Sequence, residues 1–138
     1  MQLKLRKIVD FKFTGKPMSI NGAYIKGHGA RGKAKSGKYI QYEYFIESQI
    51  QEQMTEEMIP EMQPLLINYE FFYKIFKKNS KVLSKTAGDV TNCVKPLEDI
   101  MANALGFNDA QVVHTRQTKT DSEEEYMRVS IFAVEDGL

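Results

Sequence analysis

The sequence predicts an α/β (α+β) domain: a small mixed sheet of about four strands with two main helices. Three observations lead there. Apolar residues alternate from Leu3 to Phe13 and again from Leu65 to Phe76. Their spacing changes to three and four residues between Tyr39 and Met58, and between Thr91 and Leu105. Proline or glycine stands at most of the changes of period.

In the first strand Leu3, Leu5, Val9, Phe11 and Phe13 share a face and Ile8 falls on the other, with Gly15 and Pro17 closing it. Gly27 to Lys38 has no apolar residue larger than alanine. It cannot pack a core and reads as a solvated loop. The helix from Tyr39 to Met58 carries the stripe Tyr39, Tyr42, Ile46, Ile50, Met54 and Met58, which is core material, and Pro60 and Pro64 end it. Leu65 to Phe76 alternates through Leu65, Ile67, Tyr69, Phe71, Tyr73 and Ile75. Lys77 to Gly88 is a lysine-rich connection. The second helix buries Val94, Leu97, Met101, Ala104 and Leu105 and stops at Gly106. Pro96 requires an early helix start or a kink, because proline is comfortable only in a first turn. Two strands follow, Gln111 to Lys119 and Tyr126 to Val134, with Thr120 to Glu125 as their hairpin turn.

The 138 residues fit a single domain, 1–138, or one protomer of a small oligomer. The single cysteine, Cys93, excludes an internal disulfide framework and suits a reducing compartment. No apolar run is long enough for a membrane span, and Met1 to Lys7 lacks the apolar core of a signal peptide. The Gly-x-Gly patterns lack a P-loop or Rossmann context. Ser19, His28 and the acids form no recognisable nucleophilic triad, and His114 is a strand residue with no second ligand at useful spacing.

The formal net charge of +1 hides strongly signed blocks. Phe11 to Tyr42 holds Lys12, Lys16, Lys26, Arg31, Lys33, Lys35 and Lys38 and no acid. Glu43 to Tyr73 is acidic without a base. Lys74, Lys77, Lys78, Lys81 and Lys85 form a second basic block. A polyanion responds to the local field over about 8 Å, not to the total. Either the blocks pair with each other, or the basic ones meet a phosphate backbone. On the second reading Lys26, Arg31, Lys33, Lys35, Lys38, Lys77, Lys78, Lys81 and Lys85 line a DNA face.

The chemistry-bearing cluster runs from Asp89 to Val113. On a helix Thr91, Lys95 and Asp99 form one stripe beside the apolar face, at the rim of the core. Asp89 precedes this helix and Asp109 follows it. If the two ends converge, such an oxygen-rich set suits Mg²⁺, which binds through one or two carboxylates plus phosphate and water. The ion polarises a phosphodiester and activates water, and a nearby lysine stabilises developing charge. Plainer roles exist for the same residues: Asp89 or Thr91 as a helix cap, Lys95–Asp99 as a surface ion pair, and Asn108-Asp109 as a turn.

The cluster resembles the fingerprint of the RusA family of Holliday junction resolvases, which are crossover junction endodeoxyribonucleases. That pattern is Asp-x-Asp-Asn-x-x-Lys-x-x-x-Asp and, after a short spacer, Asp-Asp-x-Gln-Val. Asp89, Asn92, Lys95, Asp99, Asp109, Gln111 and Val112 fall on it. The family's Ser-x-Asn-x-x-Tyr, between a proline and a basic loop, matches Pro17, then Ser19, Asn21 and Tyr24. The order of elements matches as well.

The resemblance implies a RusA-like homodimer that is Mg²⁺-dependent, with Mn²⁺ as a substitute. Such an enzyme nicks four-way or branched DNA symmetrically, in the bacterial cytoplasm, and is encoded by the cell or by a phage. It implies Asp89, Lys95 and Asp109 as catalytic residues, with Asp89 and Asp109 as metal ligands. Asn21, Tyr24 and Asn92 are structural motif positions. Two family aspartates are replaced, by Thr91 and Asn108. These can still offer neutral oxygens, but the lost charge weakens Mg²⁺ binding. Asp99 or Glu98 is then a candidate to restore it. A binding protein of the same fold with weak or no activity is the alternative.

Overall fold

The computed structural model describes residues 2–26, 33–54, 58–85 and 87–137. In chain order its elements are β1 (Lys4–Thr14), α1 (Ile20–Ala23), β2 (Tyr24–Lys26), β3 (Lys33–Lys35), α2 (Gly37–Gln53), β4 (Leu65–Tyr73), α3 (Val90–Leu105), a 3₁₀ turn (Asp109–Gln111), β5 (Val112–Asp121) and β6 (Tyr126–Asp136). The expected four-stranded mixed sheet and two main helices are present.

The strand order is β1-β6-β4-β5. β4 and β5 run parallel, and α3 supplies the crossover that a parallel pair requires. β6 lies antiparallel between β1 and β4. The expected hairpin of the last two strands is therefore corrected. Their connection is short, but β6 passes over to the far side of β4. Burial explains the choice: Met127, Val129, Ile131, Ala133 and Val134 of β6 are buried, whereas β5 buries no residue and suits an edge.

The core lies between the sheet and the two helices. Phe11 and Phe13, Leu65, Ile67, Tyr69 and Phe71 meet Tyr39, Ile46 and Ile50 of α2 and Leu97, Ile100 and Met101 of α3. A register shift between Lys7 and Val9 lets Ile8 and Val9 both turn inward, against the expected alternation. The free edge of β1 is held by α2: Gln53 accepts from Lys12 N–H at 2.9 Å and donates to its carbonyl at 2.8 Å, and Gln49 accepts from Thr14 N–H.

Three further boundaries differ from the sequence reading. First, α2 starts at Gly37 because Ser36 caps it, accepting from Tyr39 N–H at 3.0 Å. It ends at Gln53, so Met54 and Met58 leave the expected stripe and are exposed. Second, α3 passes through a buried Pro96 at its seventh residue, so Asn92 C=O lacks its usual intrahelical donor. Third, the glycine-rich loop is flanked by the paired ribbon β2–β3. Its Gly27–Gly32 portion, with Arg31, lies outside the described residues.

Candidate active site and nucleic-acid face

Helix α3 begins where Asp89 caps it, its carboxylate accepting from Thr91 N–H at 3.0 Å. It ends at Gly106, whose φ of 76° is left-handed and whose N–H donates to Ala102 C=O at 2.9 Å. Phe107 is buried and anchors the reversal. Asn108 then caps the 3₁₀ turn: it accepts from Ala110 N–H at 2.8 Å, while Gln111 accepts from Asn108 N–H at 2.9 Å. The Gln111 amide also donates to the carbonyls of Pro60 and Gln63 at 3.1 Å each. This buried glutamine fixes the turn and hence the position of Asp109.

The result is a compact charged cluster. Lys95 Nζ lies 2.9 Å from Asp99 Oδ1 and 3.7 Å from Asp109 Oδ2, with all three side chains open to solvent. The hydrogen bond to Asp99 lifts the ammonium above the usual lysine range. Partial desolvation opposes this, and the charges of Asp99, Asp109 and Glu98 add to it. Lys95 therefore stays protonated at neutral pH and serves as a cation, not as a base.

Sequence reasoning gave Glu98 only a supporting part and missed Tyr69. The Tyr69 hydroxyl donates to Glu98 Oε1 at 2.9 Å from beneath the cluster. Burial pushes the Glu98 carboxyl above the ordinary range, and the Tyr69 hydrogen bond and Lys95 only partly offset this. Burial also raises the Tyr69 phenol. No signal in sequence linked β4 to α3 here, because the pair is formed by the crossover.

The raised Glu98 pKa sets a pH dependence. A raised carboxyl contributes stability that is complete below its unfolded pKa of about 4.3 and lost as pH rises through the folded value. Glu98→Gln removes this loss while keeping an acceptor for Tyr69. In urea unfolding at pH 7 the variant should be the more stable protein, and the gap should close on acidification toward pH ~4. A gap that widens on acidification would contradict this environment.

Asp89 is not part of the cluster. Lys119 Nζ, near the end of β5, donates to Gly88 C=O at 2.6 Å, beside Asp89. Asp109 precedes the first residue of β5. The return of the chain through Gly106 and the 3₁₀ turn brings Asp109 to Lys95, six residues along α3 from Asp89.

Asp89 has its own surroundings. Lys16 Nζ lies 5.2 Å from the Tyr73 ring centre, and the Tyr73 hydroxyl donates to Ala87 C=O. Burial raises the Cys93 thiol, Asp89 adds to the effect, and Lys119 and Lys16 oppose it. Asp89, Lys16 and Lys119 thus all act on the Cys93 thiol, and neither lysine was distinguishable in sequence from its neighbours.

Thr91 is exposed in the first turn of α3. Asn92 is half-buried, its N–H donating to Asp89 C=O at 3.1 Å. Asn21 is exposed in α1, its N–H donating to Ser19 Oγ at 3.2 Å. Tyr24 opens β2. Of the expected DNA-face residues, Lys26 and Lys33 are described by backbone only, in the β2–β3 ribbon. Lys35 is 2.7 Å from Glu43, so part of the basic block does pair with the acidic one. Lys38 stands beside Ile40, Gln41 and Tyr44 at the start of α2. Lys77, Lys78 and Lys81 are exposed on the loop closed by the Phe76–Leu83 bridge after β4, and Lys85 is exposed just beyond it.

Among the described residues no three acid, histidine or cysteine side chains come together to hold a metal ion. A hard divalent ion needs only one or two carboxylates plus substrate phosphate and water. Asp99 and Asp109 are two carboxylates held against one ammonium, that of Lys95. Among the described residues no helix is long and apolar enough to cross a membrane.

A family model described as endodeoxyribonuclease RusA matches residues 15–132. No curated protein matches the chain. The matched span runs from just after β1 into β6 and takes in the basic residues from Lys16 onward, α3, the Lys95 cluster and the turn that seats Asp109. On that match, and with the fold and fingerprint in agreement, the chain belongs to the RusA family of endodeoxyribonucleases.

Proposed function

We propose that the protein is a structure-selective, Mg²⁺-dependent endodeoxyribonuclease that resolves four-way DNA junctions by paired symmetric nicks. It acts as a homodimer in recombination and repair within a bacterial cytoplasm. The observation that carries the reading is Lys95 held between Asp99 and Asp109. This is a fixed cation beside two carboxylates, on a helix that carries the family fingerprint.

Each residue then has a task. Asp99 and Asp109 would hold the divalent ion, with Thr91 and Asn108 standing where the family has further acids. The ion, when bound, supplies charge neutralisation at the phosphate and an activated water. Lys95 presents a permanent positive charge to the phosphate as negative charge builds on it. Asp99 positions that ammonium. Glu98 and Tyr69 brace the same turn of α3 from below. Asp89, carried over as a catalytic carboxylate, acts from the N-terminal end of α3.

The lysines Lys77, Lys78 and Lys81 draw DNA toward that end. Changing all three to alanine should weaken junction binding and reduce the salt slope by about 2–3, since each lost phosphate contact removes about 0.9. Titrating binding against salt measures this, and an unchanged slope would remove the loop from the interface.

A junction-binding protein without cleavage is the second reading. The observation in its favour is the loss of two family acids, to Thr91 and Asn108. A panel of four-way, fork, flap and linear DNAs incubated with Mg²⁺ tests the proposal. Preferential nicking of the four-way junction supports it. Binding of the whole panel without any cutting supports the second reading.

A further inference from the structure

Between β4 and α3 the chain makes a small hairpin. Lys77 N–H donates to Val82 C=O at 2.8 Å and Ser84 N–H to Ile75 C=O at 2.7 Å, so Phe76 and Leu83 oppose each other across it. Asn79, left-handed at a φ of 56°, turns the tip, and Ser80 Oγ accepts from Val82 N–H at 2.9 Å. Asp121 secures the base by accepting from Ile75 N–H at 3.0 Å. Lys74 is tied there to Glu123 at 2.6 Å. These bonds hold the hairpin in one shape, and both acids at its base are engaged.

The hairpin carries two kinds of surface. Residues 74–88 hold five lysines and no acid. Lys77, Lys78 and Lys81 are exposed and form no ion pair with another described residue. Between Lys81 and Lys85 stand Val82 and Leu83, exposed by 58% and 52%. Attraction of a phosphate backbone uses the lysines and has no need of two adjacent aliphatic side chains. An apolar wedge flanked by cations suits insertion between base steps, where the cations hold the backbone and the wedge replaces a stacking contact. At a branch point stacking is already interrupted, so insertion costs least there, whereas a linear duplex resists it at every step.

We propose that Val82 and Leu83 form a wedge that enters the branch point and unstacks the bases beside it. The hairpin is then a determinant of structure selectivity. This rests on the four-way-junction reading above and gives its selectivity a cause in named residues. A cationic, apolar tip also suits an anionic lipid surface. DNA is favoured because the hairpin leaves β4 at the end where the Tyr73 hydroxyl holds Ala87 C=O, two residues before Asp89.

Fluorescence of 2-aminopurine at the branch point of a synthetic four-way junction tests it, read by stopped flow with the full chain in Mg²⁺ before any strand is cut. The wild type should raise the fluorescence as the base leaves its stack, and should leave the same probe in a linear duplex unchanged. Val82→Ser with Leu83→Ser, at exposed positions, should keep its circular dichroism and lose the rise. It should also lower the affinity ratio of junction over linear duplex about tenfold or more. Linear-duplex affinity and its salt slope should stay as they were, since the lysines remain. Val82→Ile with Leu83→Met should keep the rise. No rise from a wild type that cuts the junction would overturn the wedge and leave the nuclease reading standing. A serine double variant that keeps the rise, or that weakens linear-duplex binding as much as junction binding, would also overturn it. Loss of binding to phosphatidylserine vesicles by that variant, with unstacking unchanged, would assign the tip to lipid and equally overturn it. A wild type that gives the expected rise and cuts nothing would support the wedge and count against the nuclease reading alone.

Discussion

Lys95→Ala should lower four-way junction cleavage by about 10²–10³-fold, the usual effect of removing one pre-positioned group facing developing charge. The loss should fall on kcat, with junction affinity changed only a few-fold, because Lys95 is one cation among many along the DNA face. The fold should survive. Lys95 is half-exposed and its pairing with Asp99 and Asp109 is a surface arrangement worth under about 1 kcal/mol. Single-turnover cleavage with binding measured in parallel separates the outcomes. A variant that binds ten times more weakly but cuts normally once saturated would make Lys95 a docking lysine only.

The second large effect runs the other way. Thr91→Asp with Asn108→Asp restores both family acids, and the structure accepts each change. Position 91 lies in the first turn of α3, where a carboxylate interacts favourably with the helix dipole. Position 108 caps the 3₁₀ turn, and aspartate caps as well as asparagine. The double variant should keep its stability and reach half-maximal cleavage at about tenfold lower Mg²⁺, a gain of roughly 1.4 kcal/mol. A Mg²⁺ titration of the cleavage rate reads it directly. An unshifted midpoint would mean that Thr91 and Asn108 stand away from the ion.

Much of the architecture was legible because it rests on periodicity. The alternation of Leu65, Ile67, Tyr69, Phe71 and Tyr73 is the central strand β4, and the Val94-Leu97-Met101 stripe is the buried face of α3. What was not legible depends on tertiary choice. Nothing local says that β6 will insert beside β4, because that is decided by which strand has the more burying face. The helix stripe overran to Met58 because apolar methionines keep a helical spacing after the helix has ended.

The site divides in the same way. Lys95 and Asp99 were legible as helix neighbours four residues apart, and Asp109 joined them because Gly106 and Gln111 fix the reversal. Asp89 was placed with Asp109 on the expectation that the ends of α3 come to one side, and the return that carries Asp109 back to Lys95 was not legible locally. Lys16, Lys119 and Tyr69 were invisible, since their roles come from strands distant in sequence.

On the proposed reading, a metal-dependent cut is made at the Lys95–Asp99–Asp109 cluster. Its most direct test is cleavage of a synthetic four-way junction, labelled on each strand, by wild type and Asp109→Asn, with Mg²⁺ and with chelator. We expect paired nicks at symmetry-related positions from the wild type in Mg²⁺ alone. We expect Asp109→Asn to bind the junction and to leave it uncut. Cutting that persists in Asp109→Asn, or in chelator, would contradict the claim.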